Sequence, residues 1–232
     1  DTKFFEENLK FKNAKFTAFG MTKRSGRSAD NDPQLRALLD TDSESVCLVA
    51  KTWDFHVDLA LGISLDENIE AIKESVESVI SNNKESIIDC EHFFDGFKSN
   101  ADFSLKCIES AIESGSKWVV LCDTNGGTLP NEVFEIVEEV IKRFPGGQIG
   151  IHCHNDTENA VANSLAAVDA GVRQIQGTIN GLGERCGNAN LVSIIPTLLL
   201  KNYYSDRFEV SIRKEKLKEI IKLSRLLDDI LN

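Results

Sequence analysis

Short apolar runs alternate with amphipathic segments along most of the chain. The apolar runs are about four to eight residues long and rich in valine and isoleucine, as expected for strands buried on both faces of a parallel sheet. The segments between them place apolar residues at helical spacing. This regular alternation predicts an α/β fold with a parallel sheet and outer helices. The predicted strands are 14–19, 46–50, 86–90, 118–122, 149–153 and 172–179, and the predicted helices are 33–39, 65–80, 102–114, 130–144, 158–170 and 189–200.

Six strand–helix units of roughly 25–40 residues each match the repeating unit of a (β/α)8 TIM barrel. An eight-stranded barrel needs about two more units, ~60 residues, to close. We therefore expect residues 1–202 to form a catalytic TIM-barrel domain that is incomplete at the N-terminus and lacks its first two β-α units.

The C-terminal segment 203–232 has a different pattern and is expected to be a helical extension or the start of a linker. Its apolar residues from Leu217 to Leu231 keep helical spacing, with charged residues between them. Such a helix would pack on the barrel or on a neighbouring subunit, or it would be a solvated terminal helix.

The composition limits the kinds of molecule that this protein is expected to bind. The 232 residues carry a formal net charge of −11 with no basic run, which argues against nucleic acid. No apolar stretch approaches the ~18 residues of a membrane-spanning helix, and the opening residues do not resemble a signal peptide. The six cysteines are scattered, without a Cys-x-x-Cys spacing, which is typical of reduced thiols. These features predict a cytoplasmic protein that acts on small molecules and does not bind membranes.

Polar residues recur where successive predicted strands end, which is the catalytic face of a TIM barrel. The clearest pair is His152 and His154, because alternate residues of a strand point the same way and two imidazoles can then bind one divalent ion. A glycine-rich loop, 181–188, follows the next strand and should lie beside them. The other polar strand ends are Glu91-His92, Asp123-Thr124-Asn125 and Thr178-x-Asn180.

Three motifs lie at or near the ends of the last two predicted strands: Ile-His-Cys-His-Asn-Asp at 151–156, Ala-Val-Ala-Asn-Ser at 160–164 and Gly-Thr-Ile-Asn-Gly-Leu-Gly-Glu-Arg-Cys-Gly-Asn at 177–188. Together they resemble the acyl-CoA Claisen-condensing TIM barrels, a family that comprises the 2-isopropylmalate, homocitrate and citramalate synthases. The similarity covers roughly residues 14–200, and two stretches, 51–56 and 91–96, are most similar to the citramalate synthase branch.

The resemblance implies a divalent metal held by His152, His154 and Asn188. Mixed nitrogen and oxygen ligands suit Mg, Mn or Zn, and the sequence does not choose among them. Glu91 would orient the 2-keto acid and share in proton movement, and Thr124 would hydrogen-bond its carboxylate. Acetyl-CoA would be the co-substrate, with pyruvate as the most expected keto acid and citramalate as the product.

Two further positions are candidate substrate contacts. Thr178 ends the last predicted strand, and Arg24 lies with Lys23 and Arg27 after the first, where these cations could meet the phosphates of coenzyme A. We also expect a homodimer. Arg185 is expected to pair with Glu184 and brace the glycine-rich loop.

The chain departs from the family pattern at two points. The family's Arg-Asp-Gly motif, which supplies a metal ligand and a cation for the developing enolate, does not occur here. Where the family often has glycine, this chain has Glu158, which we expect to open a helix, where a carboxylate suits the helix dipole.

Three alternatives remain open from the residues. The same chemistry on a larger keto acid would give 2-isopropylmalate or homocitrate. A lyase or carboxyltransferase on a related barrel is a second possibility, although the Gly-Glu-Arg-x-Gly-Asn loop argues for synthesis. A non-catalytic metal-binding barrel or regulatory subunit is the third, supported only by the missing Arg-Asp-Gly motif.

Overall fold

Six parallel strands form one sheet in which spatial order follows chain order, β1 to β6. The fold is seen in a computed structural model that describes residues 2–5 and 10–231. Each strand pairs in parallel with the next one along the chain, as six consecutive units of a TIM barrel require. The strands are β1 Thr17–Met21, β2 Ser45–Lys51, β3 Glu85–Glu91, β4 Trp118–Asp123, β5 Ile149–Cys153 and β6 Gln174–Gln176.

Helices separate the strands and cover the outer face of the sheet. Ten α-helical segments are found among the described residues, together with a π-helical turn at Val57–Leu61 and 3-10 turns at Ala29–Asn31, Ile179–Gly181 and Lys214–Lys216. The segments are α1 Thr2–Phe5, α2 Pro33–Leu39, α3 Asp54–His56, α4 Leu65–Ser81, α5 Phe93–Glu113, α6 Pro130–Arg143, α7 Ala160–Ala170, α8 Leu191–Leu200, α9 Asn202–Ser205 and α10 Leu217–Leu231. The predicted strand–helix order and the TIM-barrel fold class are confirmed.

Alternation along the strands divides their side chains between two environments. One set, typified by Val46, Leu48 and Ile88, is fully buried against the helices and forms the main core. The opposite set forms the inner face of the sheet. Its apolar part is a smaller cluster of Cys47, Ile87, Val120 and Cys122. Towards the carboxyl ends of the strands the side chains on this inner face become polar, so a polar site can form there.

Several elements differ from the predicted bounds; the strand predicted over 14–19, for example, is Thr17–Met21. The helix expected from residue 102 begins at Phe93, and it bends at Asn100, whose backbone is not helical. Phe93 and Phe94 are fully buried, so core packing stabilises this first half. The strand expected over 172–179 is only three residues long, and the chain turns after it at Asn180, where φ is 60°.

The predicted C-terminal helix is present as α10, and it packs on α8 and on the 3-10 turn at Ile179–Gly181. The described cysteines are all free, five of them buried and only Cys186 exposed, as predicted for reduced thiols. Among the described helices, none is long and apolar enough to cross a membrane.

Candidate active site

A cleft of about 430 Å³ opens on the inner face of the sheet, at the carboxyl ends of its strands. It gathers five of the seven candidate residues, contributed by β3, β4, β5 and the loop after β6. The lining comprises Phe19, Met21, Val49, Lys51, Asp89, Glu91, Cys122, Thr124, His152, His154, Glu184 and Asn188.

The glycine-rich loop folds back so that Asn188 lies beside β5. Asn188 pairs with His154 as an antiparallel bridge, and the next amide, Ala189 N–H, donates to the carbonyl of Cys153 at 2.9 Å. Gly187 makes this return possible, because its φ is +91° and a Cβ there would lie 2.1 Å from the carbonyl oxygen of Gly181. Backbone pairing therefore brings a residue distant in sequence to the two histidines.

The two imidazoles lie together as the strand period predicts. Their ring centroids are 5.1 Å apart with an angle of 32° between planes, and Nε2 of His152 is 3.0 Å from Oδ1 of Asn188. His154 is only 9 % exposed, and its Nδ1 has no hydrogen-bond partner among the described residues. Burial lowers the pKa of His154, and the nearby His152 and Arg185 lower it further, which favours a neutral ring.

Two residues that the sequence analysis did not identify orient His152. The side-chain amide of Gln176 donates from Nε2 to Oδ1 of Asp89 at 2.8 Å, so its Oε1 faces Nδ1 of His152 at 2.7 Å. In the neutral ring Nδ1 then carries the proton, and the lone pair is on Nε2. Asp89 is 5 % exposed, and burial raises the pKa of its carboxyl against the hydrogen bond from Gln176. Asp89 lies two residues before Glu91 on the inner face of β3, and Gln176 lies two residues before Thr178 on the inner face of β6.

This arrangement fits a divalent cation. The amide of Asn188 is fixed by its own donor, Nδ2, which bonds the carbonyl of Leu182 at 3.0 Å. Its Oδ1 therefore faces Nε2 of His152, and in the neutral ring these two acceptors, 3.0 Å apart, are favourable only when they share a cation, which is either a proton or a metal ion. Among the described residues no three His, Cys, Asp or Glu side chains converge as a metal cluster, so the convergence consists of two imidazoles and one amide.

Glu91 and Thr124 present the remaining polar groups of the cleft. Glu91 forms an ion pair with Lys51, the only lysine or arginine among the residues that line the cleft. The hydroxyl oxygen of Thr124 accepts the main-chain N–H of His92 at 2.8 Å, so its own proton stays available for a ligand.

Arg24 and Thr178 lie outside this cleft. Arg24 lines an adjacent cavity of about 450 Å³ together with Lys23, and the two cavities share Met21 and Lys51 in their walls. Thr178 instead donates its hydroxyl to the carbonyl of Leu182 at 2.5 Å, within the glycine-rich loop. The structure thus gives Thr178 a bracing contact, and a substrate contact there stays a prediction.

Arg185 braces the loop, as expected, and Glu184 is its weaker partner. Its guanidinium forms a two-pronged ion pair with Asp156, at 2.9 and 3.0 Å, and also bonds Glu184 and the carbonyl of Thr124. Hydrogen bonds from Arg185 lower the pKa of Asp156. The Arg185–Asp156 pair joins the glycine-rich loop to the turn after β5.

The expectation for Glu158 was wrong. This residue has φ of 60°, a left-handed conformation, and α7 begins only at Ala160. A non-glycine residue in that conformation costs about 1 kcal/mol, which explains why glycine suits the position. The Glu158 carboxylate therefore does not open the helix.

Comparison with known proteins identifies relatives of the whole chain. A family model described as HMGL-like matches residues 25–227. An (R)-citramalate synthase of Aquifex aeolicus is 50% identical over 100% of this chain and 43% of its own length. A 2-isopropylmalate synthase of Buchnera aphidicola is 32% identical over 88% of this chain and 38% of its own length. In fold, the chain is similar to an HMG-CoA lyase of Bacillus subtilis, with a TM-score of 0.78 at 19% identity over 98% of this chain and 74% of that structure.

Proposed function

This chain belongs to the HMGL-like family, and from that premise we propose that it forms part of an acyltransferase that condenses acetyl-CoA with pyruvate to give citramalate. The citramalate branch is favoured because identity to a citramalate synthase is 50%, against 32% to a 2-isopropylmalate synthase. The chain spans less than half the length of either relative. The observation that carries the proposal is the approach of His152 Nε2 to Asn188 Oδ1, beside His154, whose Nδ1 has no hydrogen-bond partner among the described residues.

In this reaction the methyl carbon of acetyl-CoA bonds to the keto carbon of pyruvate. The methyl proton is lost, the keto oxygen becomes a hydroxyl, and water then cleaves the thioester to release coenzyme A and citramalate. A bound divalent metal would polarise the keto group and stabilise the alkoxide that forms. His152, His154 and Asn188 would hold it, with Gln176 and Asp89 keeping His152 in the tautomer that a ligand needs.

The other residues of the cleft bind and orient. Thr124 donates its hydroxyl proton to the carboxylate of the keto acid, because its oxygen already accepts from His92. Glu91, held by Lys51, lies at the end of β3, where it can accept a proton or orient the group that does. Arg24 and Lys23 line the adjacent cavity, which offers cations for the phosphates of coenzyme A.

A thiol-release assay on the intact protein tests this function. Acetyl-CoA is offered with pyruvate, 2-ketoisovalerate or 2-ketoglutarate, with Mg²⁺ or Mn²⁺ and after chelation. Release with pyruvate alone, abolished by the chelator, is the expected result. Equal release with 2-ketoisovalerate would remove the assignment to citramalate, and an absence of release with all three keto acids would contradict the proposed function.

Replacing Gln176 by leucine, which has a similar volume and no polar group, should weaken metal binding by about 10–100-fold, the usual effect of losing a hydrogen-bond partner of a metal-binding histidine. Without Oε1, Nδ1 of His152 no longer has a fixed proton. The Mn²⁺ dissociation constant of the intact protein, measured from the EPR signal of free Mn²⁺, checks this. Gln174→Leu on the same strand is the matched control, and an equal effect at both positions would contradict the orienting role.

A further inference from the structure

The helix α10 is tied to the glycine-rich loop through one residue, Asn180. The side-chain amide of Asn180 donates to the carbonyl of Ser224 at 3.0 Å and to Oδ1 of Asp228 at 2.9 Å. In return, the Ser224 hydroxyl donates to Oδ1 of Asn180 at 2.6 Å. Both polar atoms of the asparagine amide are therefore used by α10.

Asn180 is unusual in conformation as well as in its contacts. Its φ of 60° and ψ of 12° are left-handed values, which asparagine tolerates better than most residues at some cost in energy. Such a conformation persists where the surrounding contacts determine it. The three hydrogen bonds to α10 are such contacts, and they hold the chain at the point where it turns from β6 into the loop.

Gly181 and Leu182, which follow Asn180, each accept a hydrogen bond from Asn188. The carbonyl of Gly181 accepts the main-chain N–H of Asn188 at 3.0 Å, and the carbonyl of Leu182 accepts its side-chain Nδ2 at 3.0 Å. The second bond is the one that turns Oδ1 of Asn188 towards His152. Hydrogen bonds thus link α10 to Asn180, the backbone of residues 180–182 continues from there, and further hydrogen bonds link it to Asn188.

Polar contacts carry much of the attachment of α10, because none of its residues is fully buried. Ser224 and Leu227 on its inner side are half-buried, whereas Ile221, Leu223 and Leu226 are exposed. Apolar burial alone therefore fixes the helix weakly.

We propose that α10 is part of the metal-binding apparatus and that Asn180 and Ser224 are positioning residues that preset the amide of Asn188. The metal in this statement rests on the function proposed above, whereas the effect of α10 on the loop does not. Loss of the Ser224 hydroxyl should loosen the loop and weaken metal binding without unfolding the barrel.

The test compares Ser224→Val with Ser224→Thr in the intact protein. The two variants share β-branching and nearly equal volume and differ in the hydroxyl, so helix propensity and packing are matched. Hydrogen exchange of the peptide that contains residues 181–188 is followed by mass spectrometry in metal-free protein. The Mn²⁺ dissociation constant is measured in parallel, and Lys222→Ala provides an exposed control on the same helix.

Ser224→Val should speed exchange in the loop about fivefold and weaken Mn²⁺ binding by a similar factor, the effect of about one hydrogen bond. Ser224→Thr and Lys222→Ala should stay within about twofold of wild type. Asn180→Gly, which removes the amide and relieves the left-handed strain, should have a larger effect than Ser224→Val. Exchange in β2 and β3 should not change in any variant.

Equal behaviour of the valine and threonine variants would overturn the proposal, as would faster loop exchange with unchanged Mn²⁺ affinity. If the wild-type protein failed to bind Mn²⁺, the proposed function would lose its metal. The exchange comparison would still decide whether α10 holds the loop.

Discussion

His154→Ala is expected to reduce citramalate formation by about 10³-fold or more, since a bound metal contributes several kcal/mol to stabilising the alkoxide and each 1.36 kcal/mol is about tenfold in rate. His154 is buried at the carboxyl end of β5, and within the described part of the chain its Nδ1 has no hydrogen-bond partner that would explain its placement. The same variant should lose tight Mn²⁺ binding, measured by EPR of the free ion.

His56→Ala is the matched control for that experiment. His56 also has a buried Nδ1 without a hydrogen-bond partner among the described residues, but it is not one of the residues that line the cleft. Its ring packs against Trp53 in a tilted arrangement and meets His92 edge to face, which gives it a packing function. His56→Ala should keep wild-type Mn²⁺ affinity. Equal loss of affinity in the two variants would point to general damage and not to a lost ligand.

Glu91→Gln is expected to lower kcat by about 10²–10⁴-fold, the usual range for a positioned acid or base. Glutamine keeps the shape of the side chain but can neither accept a proton nor form the ion pair with Lys51. Because Asp89, Gln176 and the three proposed ligands are unchanged, Mn²⁺ affinity should stay near the wild-type value. Steady-state kinetics with pyruvate and acetyl-CoA, combined with the Mn²⁺ titration, separate these two effects.

Glu85→Gln provides the control on the same strand. Glu85 lies at the amino end of β3, where it pairs with Lys15 far from the cleft. It should keep wild-type kcat. A Glu91→Gln enzyme that retained kcat within about threefold would show that Glu91 has no part in proton movement.

The histidine pair could be predicted because its signal is local. A strand has a period of two, so a His-x-His sequence at the end of an apolar run places both rings on one face without further information. Asn188 could not be assigned on that basis. Its position depends on the backbone pairing of residues 187–189 with the end of β5, and only the resemblance to a known family indicated its part.

Asp89 and Gln176 show why the rest of the site was missed. They are 87 residues apart, and each looks like an ordinary polar residue in a strand until the sheet brings Asp89 against Gln176 and Gln176 against His152. Their inner-row spacing from Glu91 and Thr178 is the only signal, and many structural residues share it. The start of α5 was missed for a related reason, because Phe93 and Phe94 are helical through their burial in the core.

The prediction that Glu158 opens a helix was wrong because it rested on the preference for acidic residues at helix starts. At this position a backbone turn decides the conformation instead. An acidic residue before a helix suits the helix dipole. Here the chain must make a left-handed turn before α7 begins, and that requirement outweighs the dipole effect.

Anomalous diffraction from crystals of the intact protein grown with Mn²⁺ tests whether His152, His154 and Asn188 converge on one divalent ion. One strong anomalous peak is expected within coordination distance of both imidazoles and the Asn188 oxygen. A Mn²⁺ peak elsewhere on the chain, with these three side chains left uncoordinated, would contradict it.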